Sequence, residues 1–266
     1  MNADVAPALA AGLAALGIVY DSVEFLTARE EVLDDFFDVR IVRSRYYILI
    51  NRPFRSALFD VMCARSVFLG LVAAHAVAAI LFPVALLMQM RWAAAALAAV
   101  VFTVHCATNV RLCVGRDGAD QMQNIVWASL LGYCLPIGDL ARTICLAFVP
   151  AQLILSYLTA GIAKVTSPLW RQGSAVHLIT RTATYCSPGV AAICGRPRVS
   201  FSLSWMIIWF EIGSPLLLLG GRPGALAFIV VATAFHAGIA FTMGLTTFMF
   251  AFGAALPLVY DLSRRL

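Results

Sequence analysis

The chain has 266 residues, a formal net charge of +5, 62% hydrophobic residues against 12% charged ones, and a mean hydropathy of +0.88. Such values exclude an ordinary soluble domain, and several apolar runs reach the ~20 residues that cross a lipid bilayer. The positive balance comes from arginines that flank those runs, and no basic-aromatic patch of the kind that binds nucleic acid is present.

The first apolar run, 5–20, is alanine-rich and slightly short. It reaches Leu26 only by taking in Asp21 and Glu24, which are expected to face protein rather than lipid. No Lys or Arg precedes it, which argues against a cleaved secretory signal. From 28 to 60 the chain turns polar, with Glu30, Glu31, Asp34, Asp35 and Asp38 followed by Arg40, Arg43, Arg45, Arg52 and Arg55. Residues 48–62 read as an amphipathic interfacial helix with Pro53 at a start or kink. Runs 66–88, carrying His75 and Pro83, and 92–114, carrying His105 and Asn109, read as spans. A turn-rich link of glycines and aspartates at 115–120 leads to a shorter apolar run, 125–137, extended backwards through Gln121 and Asn124.

The span 140–163 delivers Lys164, the only lysine in the sequence. After it, 170–183 reads as an amphipathic surface helix and 185–198, with Pro188, Gly189, Gly195 and Pro197, as a loop. Span 201–219 holds Glu211 in its middle, 220–224 is a tight hairpin, 225–243 carries His236, and 245–260 is the last apolar segment. Lipid forces each segment to close its own backbone hydrogen bonds as helix. The expected fold is therefore all-α: a polytopic helical transmembrane bundle of about eight membrane segments with interfacial amphipathic helices. It is expected to form one transmembrane domain over 1–266 with no separate soluble domain. No internal repeat is visible, which weakens an inverted-repeat transporter.

Polar residues inside spans are the informative ones, because a mid-bilayer charge costs ~2.5–3.5 kcal/mol on insertion scales. Tyr157, Gly161 and Lys164 fall on one helical stripe, where Gly161 bares backbone to a neighbouring helix or a flat ligand. Lys164 either snorkels to the headgroups at a helix end or serves as a base, since lysine, unlike arginine, can give up its proton. Glu211 is either a structural partner in a salt bridge or hydrogen bond, with Lys164 one candidate, or a functional carboxylate. His236 is either a hydrogen-bonded packing residue or a ligand or base. All three are expected to line one internal cavity. No histidine pair has metal-ligand spacing, so no metal site is expected. The chain has no phosphate-binding loop, dinucleotide fingerprint or nucleophile elbow. Seven cysteines are scattered without CxxC spacing; only Cys186 and Cys194 share a loop, and a disulfide between them needs an oxidising compartment.

Residues 156–173, with the Ala160-Gly161-Ile162-Ala163-Lys164 core followed by Trp170 and Gly173, resemble the signature of the HTTM family, bacterial membrane relatives of vitamin K-dependent gamma-carboxylase. Residues 115–123, 205–215 and 235–248 are similar to that family as well, in the same order. The resemblance implies a multi-pass protein of the bacterial cytoplasmic membrane that oxygenates a reduced quinone, vitamin K hydroquinone or menaquinol-like. Lys164 corresponds to the base that deprotonates the hydroquinone, and His236 to a family histidine. O2 and CO2 are implied as co-substrates where the activity is coupled to carboxylation. Tyr157, Gly161, Trp170 and Gln121 are the residues expected at the quinone. The chain departs from the carboxylase in two respects. A histidine near the start of the helix before the lysine helix is replaced by Gln121, Gln123 or Asn124, and the large extramembrane domain is missing, so an acceptor must be small, lipidic, or presented by a partner protein. A different reading makes the protein a non-catalytic membrane partner in peptide-toxin maturation or export, and a third a small-molecule transporter. Orientation stays open: the positive-inside rule places the loops around 28–63, 115–121 and 165–200 in the cytoplasm, whereas the resemblance places the lysine end on the opposite side.

Overall fold

The computed structural model describes residues 4–27, 53–111, 118–182 and 188–265. Among them every regular element is helical: α1 (Val5–Thr27), α2 (Pro53–Cys63), α3 (Arg65–Leu87), α4 (Arg91–Arg111), α5 (Gly118–Cys134), α6 (Asp139–Thr166), α7 (Pro168–Arg171), α8 (Ala175–Thr180), α9 (Pro188–Cys194), α10 (Pro197–Leu218), α11 (Gly221–Met243), α12 (Thr246–Gly253) and α13 (Leu256–Ser263). Among the described residues seven segments are long and apolar enough to cross a membrane: α1, α3, α4, α6, α10, α11 and the consecutive pair α12–α13. The protein is an all-α, multi-pass helical membrane protein. The remaining apolar run expected at 125–137 is α5, which has 17 residues and opens on the polar turn Asp120, Gln121, Gln123 and Asn124.

Local chemistry sets several of these boundaries. Pro53, Pro168, Pro188 and Pro197 each open a helix, where the missing N–H costs nothing because the first turn has no intrahelical acceptor for it. Three expectations need correction. Residues 170–183 do not form one surface helix: the chain breaks between α7 and α8, where Gly173 adopts φ +75°, a left-handed conformation that suits glycine. The expected loop at 185–198 contains helix α9, and Pro188 and Gly195 mark its ends rather than its absence. Glu24 is exposed, because it sits in the last turn of α1 beyond the apolar stretch, instead of facing protein. The acidic and arginine-rich stretch 28–52, the link at 112–117 and Cys186 lie outside the described residues; Cys194 is a free, buried thiol.

The chain divides into two compact units, Met1–Leu146 and Ala147–Leu266, with α6 running from the first into the second. In the first unit α1 packs on α3, α3 on α4, α4 on α5, and α5 returns to α1. Alanines at 10, 11, 14, 79, 94 and 98 are buried in it, and such small side chains let helix backbones come close where lipid provides no hydrophobic drive. One cross-helix tie is polar: Gln123 Nε2 donates to the Ala14 carbonyl at 3.1 Å, while Trp127 Nε1 donates to Gln123 Oε1 at 3.2 Å. A second polar layer pairs His75 with His105, ring centroids 5.5 Å apart. In the second unit α10 packs on α11, α11 on α12 and α13, and the short helices α7, α8 and α9 all pack on α10.

Candidate functional site

The site is built at one end of the second unit, where α6 stops. The helix carries its apolar stripe down to Tyr157 and then presents Gly161 and Lys164 one and two turns later. Gly161 is buried against α10. A Cβ there would lie 2.8 Å from Ile212 Cγ1, 3.0 Å from Glu211 Cβ and 3.1 Å from the Ile212 backbone nitrogen. Glycine is therefore what lets α10 approach, and the approach brings Glu211 beneath Lys164. Lys164 Nζ lies 2.8 Å from both Glu211 Oε1 and Oε2. The Glu211 side chain is only 4% exposed, and the lysine side chain 21%. An unpaired charge at that depth would be strongly penalised, and each of these two is the counterion of the other.

After Lys164 the chain turns back over its own helix end. Ser167 is extended, Pro168 starts α7, and the Trp170 ring comes to 5.2 Å from Lys164 Nζ, a cation–π distance. The turn is pinned to the start of α10. The Ser200 hydroxyl donates to the Gly173 carbonyl, the His177 N–H donates to Ser200 Oγ at 3.1 Å, and Trp205 Nε1 donates to the Arg171 carbonyl at 3.2 Å. Gly173 itself rests on Phe201, where a Cβ would meet the Phe201 Cα at 2.5 Å. A glycine is required there both by its positive φ and by that contact.

A cavity of about 480 Å³ lies between α6, α8–α9, α10, α11 and α12, within the usual range of ligand pockets. Its wall is mostly apolar, with the hydroxyls of Ser156, Thr180 and Thr242 among the lining residues, and ionisable side chains stand at two places. One is the Lys164–Glu211 pair with Trp170 beside it. The other is His236, on α11, whose Nε2 lies 2.8 Å from the Tyr157 hydroxyl. The imidazole is stacked on Phe252 of α12 at 4.6 Å between centroids, and Tyr157 lies nearly parallel to it on α6. In the tautomer whose Nε2 accepts the tyrosine O–H, the neutral ring carries its own proton on Nδ1. That nitrogen is buried and has no hydrogen-bond partner among the described residues.

Lys164, Glu211 and His236, three residues on three helices, thus surround one cavity. Tyr157 and Trp170 line it too. Gly161 does not: it sits behind the wall as the contact point of α6 and α10. Gln121 is an exposed residue of α5 in the first unit, whereas every described residue that lines the cavity belongs to the second. Gln123, an alternative at that place, is committed to the tie with Ala14 and Trp127. Sequence reading missed Phe248 and Phe252, although their four-residue spacing in an aromatic run puts both on one helix face. It also missed Ile179, Thr180 and Cys194, which the short helices α8 and α9 bring to the wall without any sequence signal. Among the described residues no cluster of three or more His, Cys, Asp or Glu side chains could hold a metal ion. Comparison of the chain with protein-family models, with curated proteins and with solved structures finds no match.

Proposed function

We propose that the second unit binds a lipophilic reduced quinone in this cavity, vitamin K hydroquinone or menaquinol-like, and takes a proton from it at the Lys164–Glu211 pair. The observation that carries this reading is a paired, net-neutral lysine and glutamate set in a mostly apolar cavity inside membrane-spanning helices. An anionic ligand is disfavoured, because the lysine charge is already met at 2.8 Å by Glu211. A neutral ring with an apolar tail and polar oxygens suits both the lining and the unpartnered Nδ1 of His236. Three of the four stretches that resemble the HTTM family, 156–173, 205–215 and 235–248, each supply part of the wall. The resemblance adds the bacterial cytoplasmic membrane as the location and, as the acceptor, a peptide or a lipid, small or presented by a partner protein.

A bound quinol would supply the reducing power for O2, one oxygen atom entering its ring as an epoxide and the other leaving as water. CO2 enters only where that oxygenation drives a carboxylation. The chain's own residues do simpler work. Tyr157, Phe252 and Trp170 give flat faces for a ring, and His236 Nδ1 can donate to an oxygen. The apolar wall keeps water from competing, and the ion pair receives a proton. The test uses purified protein in lipid nanodiscs with a short-chain naphthoquinone as probe. Saturable quenching of tryptophan fluorescence, reduced in Trp170→Phe, and O2-dependent consumption of the corresponding naphthoquinol are expected. Absence of saturable quenching would end the reading. Binding without turnover would favour the non-catalytic partner role over an enzyme.

A further inference from the structure

We infer that the proton taken at this site comes to rest on Glu211, with Lys164 a cation before and after; this rests on the reading of the cavity as a quinol site. The resemblance assigns the base to the lysine, and the geometry points elsewhere. Both oxygens of the Glu211 carboxylate lie 2.8 Å from Nζ, the arrangement of an ammonium lying across a carboxylate. Among the described residues no other side chain donates to that carboxylate. Its negative charge, nearly sealed from solvent, is held by Lys164 alone.

The proton count then fixes the outcome. An ammonium has three protons and no lone pair, so it accepts nothing until it has given one up. The group in hydrogen-bond contact that can take that proton is Glu211. Ammonium with carboxylate and amine with carboxylic acid are therefore two forms of one neutral pair, holding the same number of protons. When the pair takes one more from a ligand hydroxyl, it becomes ammonium with carboxylic acid, whichever atom the proton reaches first. The ligand O–H bond breaks, its electron pair stays on the ligand oxygen, and an O–H bond forms at Glu211 Oε1 or Oε2. Lys164, freed from the carboxylate charge, then faces the negative oxygen left on the ligand, with the Trp170 ring 5.2 Å from Nζ. Its task is electrostatic, stabilising charge where charge develops.

The two assignments part at Lys164→Arg, which keeps the cation but has no accessible lone pair. Glu211→Gln keeps the shape and removes the acceptor. Wild type and both variants, in nanodiscs, are titrated with the naphthoquinone probe by fluorescence quenching and assayed for O2-dependent naphthoquinol oxidation. Their infrared difference spectra are recorded on adding naphthoquinol without O2. We expect quenching in all three, an oxidation rate lowered no more than about tenfold in Lys164→Arg, and a loss of ~10²–10⁴-fold in Glu211→Gln, the usual scale of general-base catalysis. The C=O band of a protonated carboxylic acid appears on naphthoquinol addition in wild type and Lys164→Arg and is missing in Glu211→Gln. Should Glu211→Gln fail to fold, Glu211→Asp replaces it, and its band must appear with the frequency displaced from that of wild type. A Lys164→Arg protein that still binds quinone but loses a hundredfold or more in rate overturns the inference, as does wild type that binds naphthoquinol without the band. No saturable quenching in wild type overturns the quinol reading itself.

Discussion

Replacing Gly161 by alanine tests the packing that creates the site. The added methyl carbon would stand 3.0 Å from Glu211 Cβ and 3.1 Å from the Ile212 backbone nitrogen, and 2.8 Å from Ile212 Cγ1. Carbon atoms rest about 3.5–4.0 Å apart, so α10 has to retreat by roughly half an ångström at Glu211. Ile212 Cγ1 can turn away, but the other two atoms belong to the helix itself or its first side-chain carbon, and they move only with α10. Overpacking of this kind costs ~1–3 kcal/mol, and alanine returns ~0.5–1 kcal/mol through better helix propensity. The net loss is about 1–2 kcal/mol, a fall of roughly 2–8 °C in thermal midpoint. The flexible lysine can follow the carboxylate, so Gly161→Ala should lower stability more than quinone affinity. Gly213, on the same helix α10, supplies the comparison, since a Cβ there meets nothing within 4 Å. Gly213→Ala should gain the propensity term and raise the midpoint by a few degrees. Circular dichroism melts of the three proteins in one detergent decide the matter. A Gly161→Ala midpoint that rises as much as that of Gly213→Ala would show that α6 and α10 are not in close contact at the site.

Tyr157→Phe keeps the ring against His236 and Phe252 but removes the hydroxyl 2.8 Å from Nε2, leaving a buried imidazole nitrogen unpaired. The expected loss is ~1–3 kcal/mol, visible as a lower thermal midpoint, and an unchanged midpoint would mean the hydrogen bond is not made. Gln123→Ala strands the buried Trp127 N–H, while the Ala14 carbonyl keeps its bond within α1, and the loss should cost about 1–3 kcal/mol. Quenching by naphthoquinone, measured below the melting range, should stay as in wild type, because every described lining residue belongs to the second unit; lost binding in a folded Gln123→Ala protein would contradict that.

Much of the architecture is written in the sequence because the bilayer leaves the chain few choices. Apolar runs of sufficient length must be helices, and Pro53, expected at a helix start or kink, opens one. Glu211 was legible as inward-facing for the same reason: a carboxylate ten residues into an apolar span must find a partner or pay for lipid contact. Lys164 was named from the sequence as one candidate partner, but no spacing could single it out, because the two lie 47 residues apart and only the approach of α6 to α10 joins them. Gly161 shows the same limit. Its missing side chain announces a close approach, but not whether a helix or a ligand makes it; contact with Glu211 and Ile212 settles that a helix does. The surface segment after Lys164 misled for a local reason. Amphipathic spacing favours one helix over 170–183, and the left-handed turn at Gly173, seated on Phe201, outweighs it. Glu24 misled in the other direction, since a charge in the last turn of a span can reach the interface without any partner.

The central claim, that the cavity of the second unit holds a lipophilic quinone, is tested most directly by what the protein carries out of a quinone-containing membrane. Gly238 lines the cavity from α11, and a Cβ there meets nothing within 4 Å, so Gly238→Leu fills open space without straining the helix. Wild type and Gly238→Leu are purified in parallel from menaquinone-containing membranes, extracted with organic solvent, and their quinone measured by mass spectrometry against protein. The account predicts quinone in near-stoichiometric amount with wild type and only a trace with Gly238→Leu at equal folded yield. Equal quinone in the two, or none with wild type, would contradict it.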